Sequence, residues 1–430
     1  MKHFHIGSGA FGLGFSVSLS KATGNTVIVV NRKSNGLGGR CIASLMETGG
    51  QYTINHSDGY PSQHIVVDKC IELNGDGQSM GLASCLEPGD RVFFSTSVKM
   101  RNALLTYVGA FREIIEEVAA GRVKSPIYFL ALENSFTSKE ASDFLKREFP
   151  EIASALNTHF VFIDAVVDRI CTVNPDQSNG VQIEAERYAK LYISNKGHKG
   201  ETEVSVNHIS RELLQPKPDD NVPDILKERT SRIVTCVDNI EDYRRMKLVV
   251  LNGSHTILAL RAFNDKYTTI NEFIRENRDW AEYVLEEMSA VASVDPDFKI
   301  IDPNFELECE NFAKETLERF ENSVDFVERV LHRFVDPWIG VFDELFVHET
   351  DGNPEAIDYL SEFFRNLQLK VVEPMVNFQA TTGQTPRLGL ELFHLVALLL
   401  TDARYISTSI ARDKEKLNAL MESSLVLSKK

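Results

Sequence analysis

The chain has 430 residues, enough for two domains each with its own core. Its formal charge of −16, without a long basic run, argues against a nucleic-acid partner. The six cysteines are scattered with no Cys-x-x-Cys pair, which suits reduced thiols and gives no zinc site.

The first element predicted is a short apolar strand running into Gly7-Ser8-Gly9-Ala10-Phe11-Gly12, followed by a helical pattern. Gly-x-Gly-x-x-Gly between a strand and a helix is the dinucleotide-binding fingerprint. Gly7 allows the tight turn, Gly9 admits a pyrophosphate close to the backbone, and Gly12 lets the helix pack on the strand. Ala10 and Phe11 complete the loop, and the exposed amides of the helix start face the phosphates. A strand this early leaves no room for a signal peptide, so a cytoplasmic protein is expected.

The second strand ends at Asn31, followed by Arg32 and Lys33. NAD-binding chains usually carry Asp or Glu about 20 residues past the glycines, to hold the ribose hydroxyls. With Asn31 there, nothing repels a 2′-phosphate, and Arg32 could form a fork with it. The expectation is NADP as favoured cofactor, with NAD as the other option. The bland alternative has Asn31 bonding the ribose neutrally and Arg32 in solvent.

Further apolar strands are predicted at 91–95, 126–132 and 159–163, separated by helical stretches, as in a parallel sheet covered on both faces. The pattern changes after Val181–Ala185 and 203–206. Residues 214–223 are rich in Pro and Asp and read as a linker. Beyond them helical periodicity dominates, as at 311–329 and 390–400. The longest apolar run, 395–400, is too short to span a bilayer, so no membrane association is expected. The fold class is therefore α/β: a Rossmann-type domain over 1–222 and a helical substrate domain over 223–430, with the ligand cleft between them.

The helical half holds Lys247-Leu-Val-Val-Leu-Asn252-Gly-Ser-His255. On an α-helix Asn252 lies ~140° and His255 ~80° round from Lys247, so all three can look into one cleft. A lysine among apolar neighbours can act as a base, while amide and imidazole hold an alcohol or carbonyl oxygen. The competing reading is a solvated lysine and a packed histidine.

Taken together, these blocks resemble the polyol-specific long-chain dehydrogenases, the mannitol dehydrogenase and mannitol-1-phosphate 5-dehydrogenase group. His5 to Phe15 is similar to that family's opening, 162–170 to its Val-Asp-Arg segment, and 246–255 to its Lys-x4-Asn-x2-His signature. Residues 332–337 resemble its Arg-Phe-x-Asn-Pro, with Asp336 in place of Asn. The resemblance implies Lys247 as general base without any metal. It implies Asn252 and Asn134 as oxyanion donors and His255 as a bond to the substrate hydroxyl. Arg333 would contact substrate. Asp168 and Arg169 match an Asp-Arg pair that either shapes the site or is a structural ion pair. Arg244 stands where an acidic residue is common. Facing the site, it would repel a charged Lys247 or attract an anionic group of the substrate; otherwise it points to solvent.

The reaction expected is reversible hydride transfer between a polyol, or polyol phosphate, and the corresponding ketose. The partners are small molecules only, with monomer and homodimer equally open. A hexuronate reductase, a hydroxyacid dehydrogenase resembling 6-phosphogluconate dehydrogenases, and a non-catalytic dinucleotide sensor are the alternatives.

Overall fold

The computed structural model describes residues 1–34, 36–56, 61–73, 81–96, 105, 107–132, 137–174, 180–186, 188–206, 233–294, 305–322, 325–332, 368–384 and 386–389. It divides into two compact units, Met1–Ile240 and Glu241–Lys430.

The first unit holds two sheets. The larger is made of β1 Lys2–Ile6, β2 Thr26–Arg32, β5 Lys69–Leu73, β6 Asp90–Thr96, β7 Val123–Ala131, β8 Phe160–Asp168, β11 Lys190–Lys199, β12 Thr202–Ser205 and β13 Val234–Val237. The smaller is made of β3 Gln51–His56, β4 Gln63–Val66, β9 Cys171–Val173 and β10 Val181–Ala185.

The larger sheet has strand order β12-β11-β8-β7-β6-β1-β2-β5, to which β13 adds beside β11. From β5 through β8 every neighbouring pair is parallel. Antiparallel pairing enters only where β11 meets β8 and β12. The parallel strands have unbroken apolar runs because both faces are covered: Val27 to Val30 and Phe160 to Val167 are buried throughout. One face packs Phe4, Phe94, Phe111 and Phe129, and the other packs Phe15, Phe93, Leu130 and Ile163. Burying each such side chain is worth about 1.5–3 kcal/mol.

The smaller sheet runs β4-β3-β10-β9. Its strands alternate: β10 buries Val181, Ile183 and Ala185 and leaves Gln182 and Glu184 partly exposed. This sheet was not foreseen. The first unit also extends beyond the boundary expected at 222, because Val234–Val237 returns to pair in parallel with β11. The 214–223 linker and the 390–400 helical stretch lie outside the described residues.

The described part of the second unit is helical. Helix Arg278–Ser293 buries Ala281, Val284, Leu285, Met288 and Val291, a stripe at three- and four-residue spacing. It packs against helix Phe305–Asn322, which buries Phe305, Cys309, Phe312, Leu317 and Phe320. Among the described residues no helix is long and apolar enough to cross a membrane.

Candidate active site

The dinucleotide loop is formed as its glycines require. Gly7 sits at φ +105°, a conformation costly for any residue with a side chain, and its N–H donates to Val30 O at 2.8 Å. At Gly9 an added Cβ would meet nothing within 4 Å, which leaves open space over the loop. Ala10 and Phe11 lead into a π-helical turn, Gly12–Val17, and Phe11 stacks on Phe15. At Gly14 a Cβ would stand 2.9 Å from both Cys171 Sγ and Ile183 Cγ2, so this helix packs tightly on the smaller sheet.

Widening this helix leaves carbonyls that need other donors. Tyr52 O–H donates to Leu13 O at 2.8 Å, and the Arg169 guanidinium donates to Gly14 O. Arg169 also donates to Glu186 O at 3.0 Å, so it braces the dinucleotide helix against the smaller sheet. Those bonds go to main-chain carbonyls, a bracing role distinct from both the ion pair and the substrate contact considered from the sequence. Asp168 is buried at the end of β8.

At the end of β2, Asn31 is buried and Arg32 and Lys33 are exposed. The Asn31 carbonyl oxygen accepts from Tyr107 O–H at 2.8 Å and Arg32 N–H at 2.9 Å, and its amide donates to Ser8 Oγ at 2.6 Å. Positive φ at Gly7, open space at Gly9 and no carboxylate at Asn31 fit a dinucleotide, with the Arg32 side chain exposed to meet an anion from solvent.

Beneath the loop lies a buried polar cluster that sequence reading missed. Ser95 Oγ is 2.6 Å from His3 Nε2, 2.7 Å from His5 Nδ1 and 3.0 Å from Ser16 Oγ. Burial holds His3 well below the usual imidazole range, helped by the neighbouring His5. Burial alone pushes His5 down to about 3. The signal lay in two histidines at alternate positions of an otherwise apolar strand.

In the second unit the lysine signature is not α-helical throughout. Ile240–Met246 is α-helical, Lys247–Gly253 is π-helical, and Ser254–Asn264 resumes the α-helix. With i→i+5 hydrogen bonds each turn takes up more than the about 3.6 residues of an α-helix. Residues five apart are then closer in angle than on an α-helix, which brings Lys247 and Asn252 nearer to one face than the ~140° expected there. Both are half-buried, while Val249, Val250, Leu251 and Gly253 between and beside them are buried. Gly253 is the tight point: a Cβ there would stand 2.7 Å from Met288 Cε and 2.8 Å from Lys370 O.

His255 is buried, stacks on Phe320 at 4.2 Å, and places Nε2 3.6 Å from Asp325 Oδ2, itself buried. Asp325 is anchored through its own carbonyl, which accepts from Ile270 N at 2.8 Å. Asp325 was missed in the sequence because it lies far from His255 along the chain, in a stretch with no motif. Arg244 is buried too, with its guanidinium 3.1 Å from Glu241 Oε1 one turn back, so its charge is met there and not left to solvent. Asn134 and Arg333 lie outside the described residues.

The first unit is a Rossmann-type sheet with a glycine loop after its first strand, and the helical unit that follows in the chain carries the half-buried Lys247 and Asn252. Residues 239–335 match the mannitol dehydrogenase C-terminal domain, a segment that contains the whole lysine signature. That match covers the start of the second unit, the part of the chain in which the resemblance to the mannitol dehydrogenase group is most specific. Its fold is similar to that of Pseudomonas fluorescens mannitol 2-dehydrogenase, solved in ternary complex with NAD and D-mannitol: TM-score 0.55, 14% identity, covering 100% of this chain and 92% of that one. It is similar also to a D-sorbitol dehydrogenase solved in substrate-free form: TM-score 0.54, 13% identity, covering 85% and 80%. At these identities the likeness is one of fold. No curated protein sequence matches the chain.

Proposed function

We propose that the chain interconverts a polyol, or polyol phosphate, and the corresponding ketose, with Lys247 as general base, no metal, and NADP favoured over NAD. The observation that carries this reading is the π-helical turn Lys247–Gly253, in which a lysine and an asparagine five residues apart are both half-buried among buried apolar residues. The D-mannitol bound in one solved relative, and the sorbitol for which the other is named, support the same substrate class.

Gly7, Gly9, Ala10, Phe11 and Gly12 would hold the pyrophosphate, and Asn31 and Arg32 the adenosine ribose and its 2′-phosphate. When bound, the nicotinamide supplies the acceptor for hydride from the carbinol carbon, or the donor in the reverse direction. Neutral Lys247 takes the hydroxyl proton as the carbon–hydrogen bond breaks, and returns it to the oxygen in ketose reduction. Asn252 donates to the oxygen as it gains negative charge, and the resemblance assigns Asn134 the same part. A preorganised donor of this kind is typically worth about 3–4 kcal/mol. His255, held by Phe320 and Asp325, orients the substrate from the end of the same helix. Arg333 and Arg244 stand in the reading as contacts for the substrate's far end, with Arg244 restrained by Glu241.

The test is a panel of ketoses, ketose phosphates and hexuronates, each offered with NADH and NADPH while absorbance is followed. Reduction of a ketose or its phosphate supports the reading. Turnover confined to a hexuronate, or to a hydroxyacid with release of CO2, replaces it with the corresponding alternative.

A further inference from the structure

We infer that Tyr107 and Ser8 are specificity-determining positioning residues, which turn the Asn31 amide so that it offers only a hydrogen-bond donor to the adenosine ribose. The inference rests on the reading that the glycine loop binds a dinucleotide, and goes beyond it in naming what decides the cofactor.

Tyr107 precedes helix Val108–Ala119, and its ring is buried. Its O–H donates to Asn31 Oδ1 at 2.8 Å, while Arg32 N–H donates to the same oxygen at 2.9 Å and approaches Tyr107 Oη at 3.1 Å. A carboxamide oxygen has two lone pairs, and both are therefore taken. On the other side Asn31 Nδ2 donates to Ser8 Oγ at 2.6 Å, and Ser8 has its own proton directed to Gly38 O at 2.6 Å. The donors thus run in one direction, from Tyr107 through Asn31 and Ser8 to the Gly38 carbonyl. Flipping the amide would set its NH2 against two donors, Arg32 N–H and Tyr107 O–H, and its oxygen against a Ser8 hydroxyl already committed elsewhere.

The consequence is a choice of ligand chemistry. An acidic residue at this point of the fold accepts hydrogen bonds from ribose hydroxyls. Asn31 cannot accept, because its oxygen is saturated. Its second amide hydrogen carries no bond to a described residue, so a group meeting it must be an acceptor. A 2′-phosphate oxygen qualifies as a strong charged acceptor, whereas a 2′-hydroxyl can meet it only through its oxygen, as a weaker neutral acceptor, and finds no acceptor on Asn31 for its own proton. Tyr107 and Ser8 never need to touch the cofactor to impose this.

The experiment measures dissociation constants of NADPH and NADH by fluorescence titration, for the full chain and for Tyr107→Phe and Ser8→Ala. In the wild type NADPH binds more tightly. Tyr107→Phe frees a lone pair on Asn31 to accept from a 2′-hydroxyl, and the preference for NADPH falls roughly tenfold, in part through tighter NADH. Ser8→Ala moves the ratio in the same direction. A simple structural defect weakens both cofactors alike, so an unchanged ratio in both variants overturns the inference. A wild type that prefers NADH overturns it as well. A wild type that binds neither dinucleotide overturns the reading of the loop itself, a result distinct from an unchanged ratio.

Discussion

Acid should weaken the first unit through His3 and His5 in a window that their burial fixes. In the native protein both imidazoles are buried against Ser95, and His5 does not protonate until about pH 3. Unfolded, each histidine titrates near its ordinary value of about 6.5. Above about pH 6.5 neither state binds the proton and the histidines cost nothing. As pH falls from about 6.5 toward 3 the unfolded state gains protons that the native state refuses, and stability drops. The slope is about 1.36 kcal/mol per pH unit for one such group, so between about pH 7 and pH 5 His5 alone removes about 2 kcal/mol. His5→Asn keeps a polar atom near the Nδ1 position and removes the titration. Denaturant unfolding at several pH values measures the difference. The wild type should lose about 2 kcal/mol more than the variant over that interval. Equal losses in the two proteins would refute the claim that His5 is held neutral.

Three other substitutions probe the remaining geometry. Gly253→Ala should destabilise the second unit by about 1–3 kcal/mol, read as a lowered denaturation midpoint, because Met288 and the Lys370 carbonyl already fill the space. Asp325→Asn should lower kcat on the ketose substrate while leaving the NADPH dissociation constant unchanged; weakened cofactor binding would mean that it acts through the fold. Arg32→Ala should weaken NADPH roughly 10- to 100-fold and NADH little, as loss of a charged fork predicts.

The parts of this protein that follow from short-range pattern were legible in the sequence. The glycine loop announces itself because glycine alone readily tolerates φ +105° at position 7, and β2 because Val27 to Val30 are apolar without interruption. The second sheet was harder, since β3 and β10 are distant in sequence and pair only through the fold. The alternation in Val181–Ala185, and that of Tyr52 and Ile54 with Thr53 and Asn55, were its local traces. The π-helical turn escaped because no residue in Lys247–Gly253 demands it; the turn is distinguished by hydrogen bonding, not by composition. Asp325 escaped for a related reason. Its partner His255 was visible as part of a signature, but so distant a carboxylate becomes its neighbour only when the chain beyond helix Phe305–Asn322 packs back. Arg169 was noticed, yet its bonds run to main-chain carbonyls that carry no mark in a sequence.

The central claim is that Lys247 is the base of a hydride-transfer reaction, and Lys247→Ala tests it most directly. With the ketose or polyol that the wild type turns over, kcat/KM should fall by well over tenfold, a loss greater than ~1.4 kcal/mol in transition-state stabilisation. The NADPH dissociation constant should stay nearly the same, because the glycine loop belongs to the other unit. A variant that keeps more than about a tenth of the wild-type kcat/KM would contradict the account, and another group would have to carry the proton.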